Sequence, residues 1–176
     1  MGDGLEPLRP GEVDTIILAG MGGLLVKRIL EQGIEILSFE KKRPVLILQP
    51  QSDLREVRIF LYQTAYHIVQ ETMLLEAGKY YTVIKAEPSN GQIVADREKQ
   101  EAEWIYGWYG LEHRDPVLRE YLRKEQSVLK AILGKLEQQG RRMGSENLPD
   151  KTRERMRTVQ KELECNADAL EYFRTT

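Results

Sequence analysis

The chain has 176 residues, 41% of them hydrophobic and 31% charged, with a formal net charge of −2. That length accommodates one domain plus an appendage, and no apolar run approaches the roughly 18 residues that would cross a bilayer. The single cysteine, Cys165, rules out an intrachain disulfide and fits a reducing compartment, so a cytoplasmic protein is expected.

Residues 1–12 are polar and glycine-rich, and Met1-Gly2-Asp3-Gly4 has neither the basic flank nor the apolar core of a secretory signal. Val13 and Thr15–Leu18 then form a β-branched, apolar run of the length of one buried strand. Gly20, Gly22 and Gly23 break it. From Leu24 the apolar residues Leu25, Ile29 and Leu30 recur at helical spacing, which predicts a helix over 23–37. In an open α/β sheet a strand–glycine turn–helix unit puts its turn at the carboxyl end of the strand, where ligands bind. Glycines there let a planar ligand approach the backbone closely. The spacing is neither GxGxxG nor a Walker A box. A tight turn that only packs helix on sheet satisfies the same residues, and both readings stand at this point.

Lys41-Lys42-Arg43-Pro44 reads as a solvated connection, and Val45–Leu48 as a second buried strand ended by Gln49-Pro50-Gln51. Residues 53–64 carry Leu54, Val57 and Leu61 on one helical face, with Phe60 beside it. Two βα units in succession imply adjacent parallel strands. The period then changes to two. Tyr66, Ile68 and Gln70 alternate with His67, Val69 and Glu71; Glu76-Ala77-Gly78-Lys79 is a turn, and Tyr80–Ala86 is β-rich. That pattern predicts a terminal antiparallel hairpin. Residues 92–114 read as a mixed linker. Its Trp104, Tyr106, Trp108 and Tyr109 either seal a domain face or offer a base-stacking platform.

From residue 116 onward the pattern is helical. Leu118, Leu122, Glu125, Leu129, Ile132 and Leu136 follow a 4–3 alternation, repeated by Met156, Val159, Leu163, Asn166, Leu170 and Phe173 after a break at Gly140–Pro149. This predicts a helical hairpin zipped like a short antiparallel coiled coil. Aligning Leu136 with Met156 brings Glu125 close to Asn166, the polar member of each stripe. The turn side is basic: Arg141, Arg142, Lys151, Arg153, Arg155, Arg157 and Lys161 outnumber Glu146, Asp150 and Glu154. Such a run suits a phosphate backbone, and a solvated helix face is its plain alternative.

Four stretches carry a family likeness: Gly2-Asp3-Gly4-Leu5, Ala19-Gly20-Met21-Gly22-Gly23, Leu48-Gln49-Pro50, and Glu76 with Gly78-Lys79 and Tyr81. A weaker match covers Gly107, Leu111, Pro116 and Tyr121. With these the sequence resembles the bacterial tRNA adenine-N1 methyltransferases that modify position 22, over essentially its whole length. The resemblance implies the C-terminal portion of such an enzyme. Its fold is then part of a class I, Rossmann-like, S-adenosylmethionine-dependent methyltransferase sheet (1–91) with an antiparallel terminal hairpin, followed by the linker (92–114) and a coiled-coil-like helical hairpin (115–176).

The resemblance also implies a division of roles. Gly20, Met21, Gly22, Gly23, Gln49, Pro50 and Gln51 form the catalytic, base-facing wall. Gly2, Asp3, Gly4, Ala19 and Gly20 lie on the S-adenosyl-L-methionine side. Arg141, Arg142, Lys151, Arg153, Arg155 and Arg157 hold tRNA. The chain departs from the family pattern at Gln51, where Asn is usual, at Phe60, where Trp is expected, and at Trp108, where Pro is expected.

The family's glycine-containing first strand-loop, and the acidic residue that holds the cofactor ribose, have no counterpart here. The expectation is therefore the last four strands of a seven-stranded sheet, with weak or absent cofactor binding by this chain alone. A non-catalytic tRNA- or protein-binding remnant is the alternative, and self-association through an open sheet edge fits either. Neither a zinc-ligand cluster nor a Ser-His-Asp set competes, and His67 and His113 read as ordinary surface or edge histidines. Adenine N1 carries a lone pair at neutral pH, so the reaction needs positioning and exclusion of water, not a metal.

Overall fold

In the computed structural model, which describes residues 4–89, 100–143 and 149–174, the first two strands are β1, Thr15–Met21, and β2, Val45–Pro50. They pair in parallel, Ile16 beside Leu46 and Leu18 beside Leu48. β3, Tyr66–Glu76, and β4, Lys79–Pro88, form the expected antiparallel hairpin, and β4 also pairs antiparallel with β2, so the sheet runs β1–β2–β4–β3.

Between the strands lie α1, Gly23–Gln32, α2, Ile34–Leu37, and α3, Leu54–Gln63. The single helix expected over 23–37 is thus interrupted at Gly33, against which Leu5 packs. Val26, Ile29, Leu30, Val57, Phe60 and Leu61 of α1 and α3 join one core with Ile16, Leu46, Leu48, Ile84 and Ile68 of the sheet. The register puts those strand residues on one face. On the opposite face Ile17 is 66% exposed, and Ala19, Gln70 and Leu74 are also exposed.

A bulge between Ile68 and Gln70 shifts the alternation of β3. It moves Glu71, read from simple alternation as facing away from Ile68, onto the buried side. There Glu71 Oε1 accepts from Arg58 Nε at 3.0 Å and Nη2 at 2.6 Å. Both residues are almost fully buried, at 1% and 5% exposure. Arg58 Nη1 also donates to the carbonyls of Trp104 and Ile105, 2.7 Å each.

Those carbonyls belong to α4, Glu101–Tyr106, which is followed by α5, Trp108–Glu112. The stretch read as a mixed linker therefore carries two helices over its described part. α4 starts on a capping box between Gln100 and Glu103. Trp104 meets Tyr62 and Trp108 edge-on, and Trp108 and Tyr109 pack against the core. Tyr106 is buried, while Trp104, Trp108 and Tyr109 are half-buried.

Residues 1–115 make one compact unit and 116–176 a second. The second consists of α6, Pro116–Met143, and α7, Asp150–Glu171. α6 runs past Gly140, where a break was expected; one interior glycine costs about 1 kcal/mol, which a 28-residue helix absorbs. Leu118, Leu122 and Leu129 face Val159, Asn166, Ala169 and Phe173 in the buried seam. Asn166 Nδ2 donates to Glu125 Oε2 at 2.9 Å and to the Leu122 carbonyl at 3.0 Å, the juxtaposition the heptad alignment requires.

Candidate active-site rim

β1 and β2 end side by side, and the two turns that follow them are stitched together by the backbone. The ladder slips between Ala19 and Met21, so Gly20 bulges out while Met21 comes opposite Pro50. Gly20 has φ +79°, a conformation that a side chain would strain, and nothing lies within 4 Å of where a Cβ would stand. Its N–H donates to Gln49 Oε1 at 2.9 Å. Gln51 N–H donates to the Met21 carbonyl at 2.9 Å, and Gly23 N–H to the Ser52 carbonyl at 3.0 Å. Gly23 must be glycine because a Cβ would collide with the Ser52 and Asp53 carbonyls.

The bond from Gly20 fixes the Gln49 amide. An N–H needs an acceptor, so Oε1 points to it and Nε2 points away. Nε2 is buried and has no hydrogen-bond partner. An unsatisfied buried donor costs about 1–3 kcal/mol. The rim therefore holds open glycine backbone, an exposed Gln51 and one amide donor that has no partner among the described residues.

The structure thus brings Gly20, Met21, Gly22, Gly23, Gln49, Pro50 and Gln51 together. The residues assigned to the cofactor side are not gathered in the same way. Gly2 and Asp3 lie outside the described residues, Gly4 packs beside Ile29 of α1, and Ala19 is exposed at the end of β1. Ser52 and Asp53 were missed as rim residues. Ser52 Oγ donates to Asp53 Oδ2 at 2.6 Å and lies against Gly22. The signal was present, since Ser-Asp before a helical run marks a helix start.

In the helical unit, Arg141 and Arg142 occupy the last turn of α6, and Lys151, Arg153, Arg155 and Arg157 lie in the first turns of α7. All six are exposed. Arg155 reaches Glu162 at 3.3 Å and Arg141 reaches Glu137 at 3.9 Å. Glu146 lies outside the described residues. Among the described residues no cluster of His, Cys, Asp and Glu could hold a metal, and no helix is long and apolar enough to cross a membrane.

A parallel βα pair with its glycine turn at the strand ends, closed by an antiparallel hairpin, defines a Rossmann-like α/β domain of the methyltransferase type. The chain belongs to the family described as TrmK: tRNA (adenine(22)-N(1))-methyltransferase, whose model matches residues 1–163. The tRNA (adenine(22)-N(1))-methyltransferase of Bacillus subtilis (strain 168) is 41% identical over 95 residues, covering 54% of this chain and 39% of that protein. The chain spans about two fifths of the length of the curated relatives it matches, 39% and 44%.

The crystal structure of the B. subtilis M1A22 tRNA methyltransferase TrmK is similar at TM-score 0.75 and 28% identity, over 96% of this chain and 68% of that one. A Streptococcus pneumoniae protein solved in complex with S-adenosyl-L-methionine is similar at TM-score 0.72 and 25% identity, over 96% of this chain and 66% of that one.

Proposed function

We propose that this chain is the base-facing and tRNA-holding portion of an S-adenosylmethionine-dependent methyltransferase acting on N1 of adenine 22 in tRNA. The observation that carries the reading is the unpartnered Gln49 Nε2 at the end of β2, beside the exposed glycine turn. An adenine offers N7 as acceptor for Gln49 Nε2, and on the same edge its 6-amino group can donate to the second lone pair of Oε1, which Gly20 N–H leaves open. Recognition on that edge leaves the N1 lone pair free. S-adenosyl-L-methionine supplies the methyl group. The rim orients the ring and shields N1 from water, and the basic end of the α6–α7 hairpin grips phosphates. A duplexed base must first be flipped out. Such an activity belongs in the cytoplasm.

The finer fold reading is that the sheet is completed by a further βα segment carrying the cofactor pocket. Its support is that, among the described residues, no strand pairs with the outer edge of β1, and Ile17, on the face away from α1 and α3, is 66% exposed. The same edge favours a second reading, self-association of a non-catalytic tRNA-binding chain.

One experiment separates the two. The chain is mixed with the segment of the B. subtilis relative that has no counterpart here, and single-turnover methylation of a tRNA transcript is measured. The expected result is transfer to adenine 22 by the mixture, none to a transcript with guanine there, and weak or absent cofactor binding by the chain alone. Gln49→Ala then slows transfer with little loss of tRNA affinity, the mark of a group used near the transition state. A stable dimer in sedimentation, with no transfer by the mixture, would favour the second reading.

A further inference from the structure

We infer that the open end of the α6–α7 hairpin is a second phosphate anchor for RNA, separate from the basic turn. This rests on the tRNA reading and extends it to residues that the sequence did not single out.

Arg119 and Arg123 stand one helical turn apart on α6 and, with Gln126, line a groove of about 490 Å³ whose other side includes Leu170, Phe173 and Arg174. Both are exposed, and neither meets a carboxylate among the described residues. On α6, Glu120 stands three residues before Arg123 but does not line the groove, and Glu125 is engaged elsewhere. Glu125 takes Tyr121 Oη at 2.8 Å and Asn166 Nδ2 at 2.9 Å. Across the groove Glu171 Oε1 is held by Arg174 Nη1 at 2.8 Å. Three arginines therefore face one carboxylate, and the groove is a net cation.

Guanidinium groups are matched to phosphate by their planar fork of donors, and a partly apolar floor strengthens the attraction by lowering the local dielectric. Arg119 and Arg123 at i and i+4 have Cβ atoms about 5–6 Å apart, so adjoining phosphates of one strand can serve both.

The ligand is a polymer because of distance. Arg119 and Arg141 are 22 residues apart on one helix, roughly 33 Å at 1.5 Å per residue. No single phosphate or mononucleotide reaches both ends of the arm, whereas an RNA strand or stem does. Contacts so far apart act independently, so their losses should add.

The test is binding of a tRNA transcript by the full chain across a salt series, for wild type, Arg119→Glu/Arg123→Glu, Arg153→Glu/Arg157→Glu and the fourfold variant. Circular dichroism melts verify folding, and Arg119→Gln/Arg123→Gln replaces the reversal if that unfolds the hairpin. The groove pair is expected to lower affinity roughly tenfold or more at 0.15 M salt and to reduce the salt slope by about 2. The fourfold variant should lose the sum of both pairs. Wild-type affinity and slope in the groove variant, with a weakened turn variant, would overturn the groove and leave the tRNA reading standing. No tRNA binding by the wild type would overturn both.

Discussion

Three residues show how a local constraint becomes a measurable property. Gly107, between α4 and α5, has φ +93°, and a Cβ there would strike the carboxylate of Glu71. That carboxylate is already spoken for by Arg58, so it cannot step aside without breaking a buried ion pair. Gly107→Ala should cost more than the roughly 1–3 kcal/mol of left-handed strain, read as a lower urea midpoint at unchanged slope. Wild-type stability would show that α4 and α5 can shift as one. Tyr66 carries the second constraint. Its hydroxyl donates to the Pro44 carbonyl at 3.0 Å, and Arg43 lies 4.6 Å over its ring. Burial raises its pKa, against the lowering effect of the Arg43 charge. A folded-state value above the unfolded one, near 10, means the neutral phenol stabilises the fold fully below that pH. The contribution fades as pH climbs towards the folded value. Tyr66→Phe should therefore lose about 1 kcal/mol at pH 8 and show a shallower stability decline than wild type above pH 10 or so. Parallel declines in urea titrations at the two pH values would sink this account. Gln49 is the third, because its oxygen is fixed by Gly20 and its nitrogen has no partner among the described residues.

At the scale of elements, the helical hairpin has an internal register pin. Asn166 is fully buried, donates to Glu125 and Leu122, and leaves its own Oδ1 without a partner. A half-satisfied polar group in an apolar seam specifies alignment at a cost in stability. Asn166→Leu should be neutral or slightly stabilising in a thermal melt, because half-buried Glu125 keeps Tyr121 and gains water. A strongly lowered melt would mean the Asn166 bonds outweigh the apolar seam. This register was legible in the sequence because a 4–3 stripe repeats on both helices and its polar members fall opposite each other. β1, β2 and the hairpin were legible too, from apolar runs and period-two alternation. The bulge after Ile68 was not, since no residue type announces it, and with it went the buried Arg58–Glu71 pair. α4 and α5 were hidden for a related reason. At 6 and 5 residues they are too short to show a period, and what holds them is Arg58, far away in sequence. In the candidate rim the two turns could be read, but not the Gly20–Gln49 bond that joins them, because side-chain bridges between strand ends leave no spacing signature.

At the scale of the whole molecule, the sheet presents unequal faces. α1 and α3 bury Leu46, Leu48, Ile84 and Ala86 completely, while the other face leaves Ile17 at 66% exposure next to the free edge of β1. Parallel strands are ordinarily covered on both faces, because an open edge and an apolar face invite association. If a βα segment completes this sheet, Ile17 lies beneath it. Ile17→Lys tests the idea without touching the rim or the arm. In the chain alone the substitution is at an exposed site and should change stability by no more than about 0.5 kcal/mol. In the mixture with the complementary segment of the relative, a lysine forced under an apolar layer should abolish assembly and methyl transfer together. tRNA binding by the chain should be unchanged. Assembly and transfer at wild-type levels would mean that this face stays open, and the sheet would then have to be completed through its edge alone.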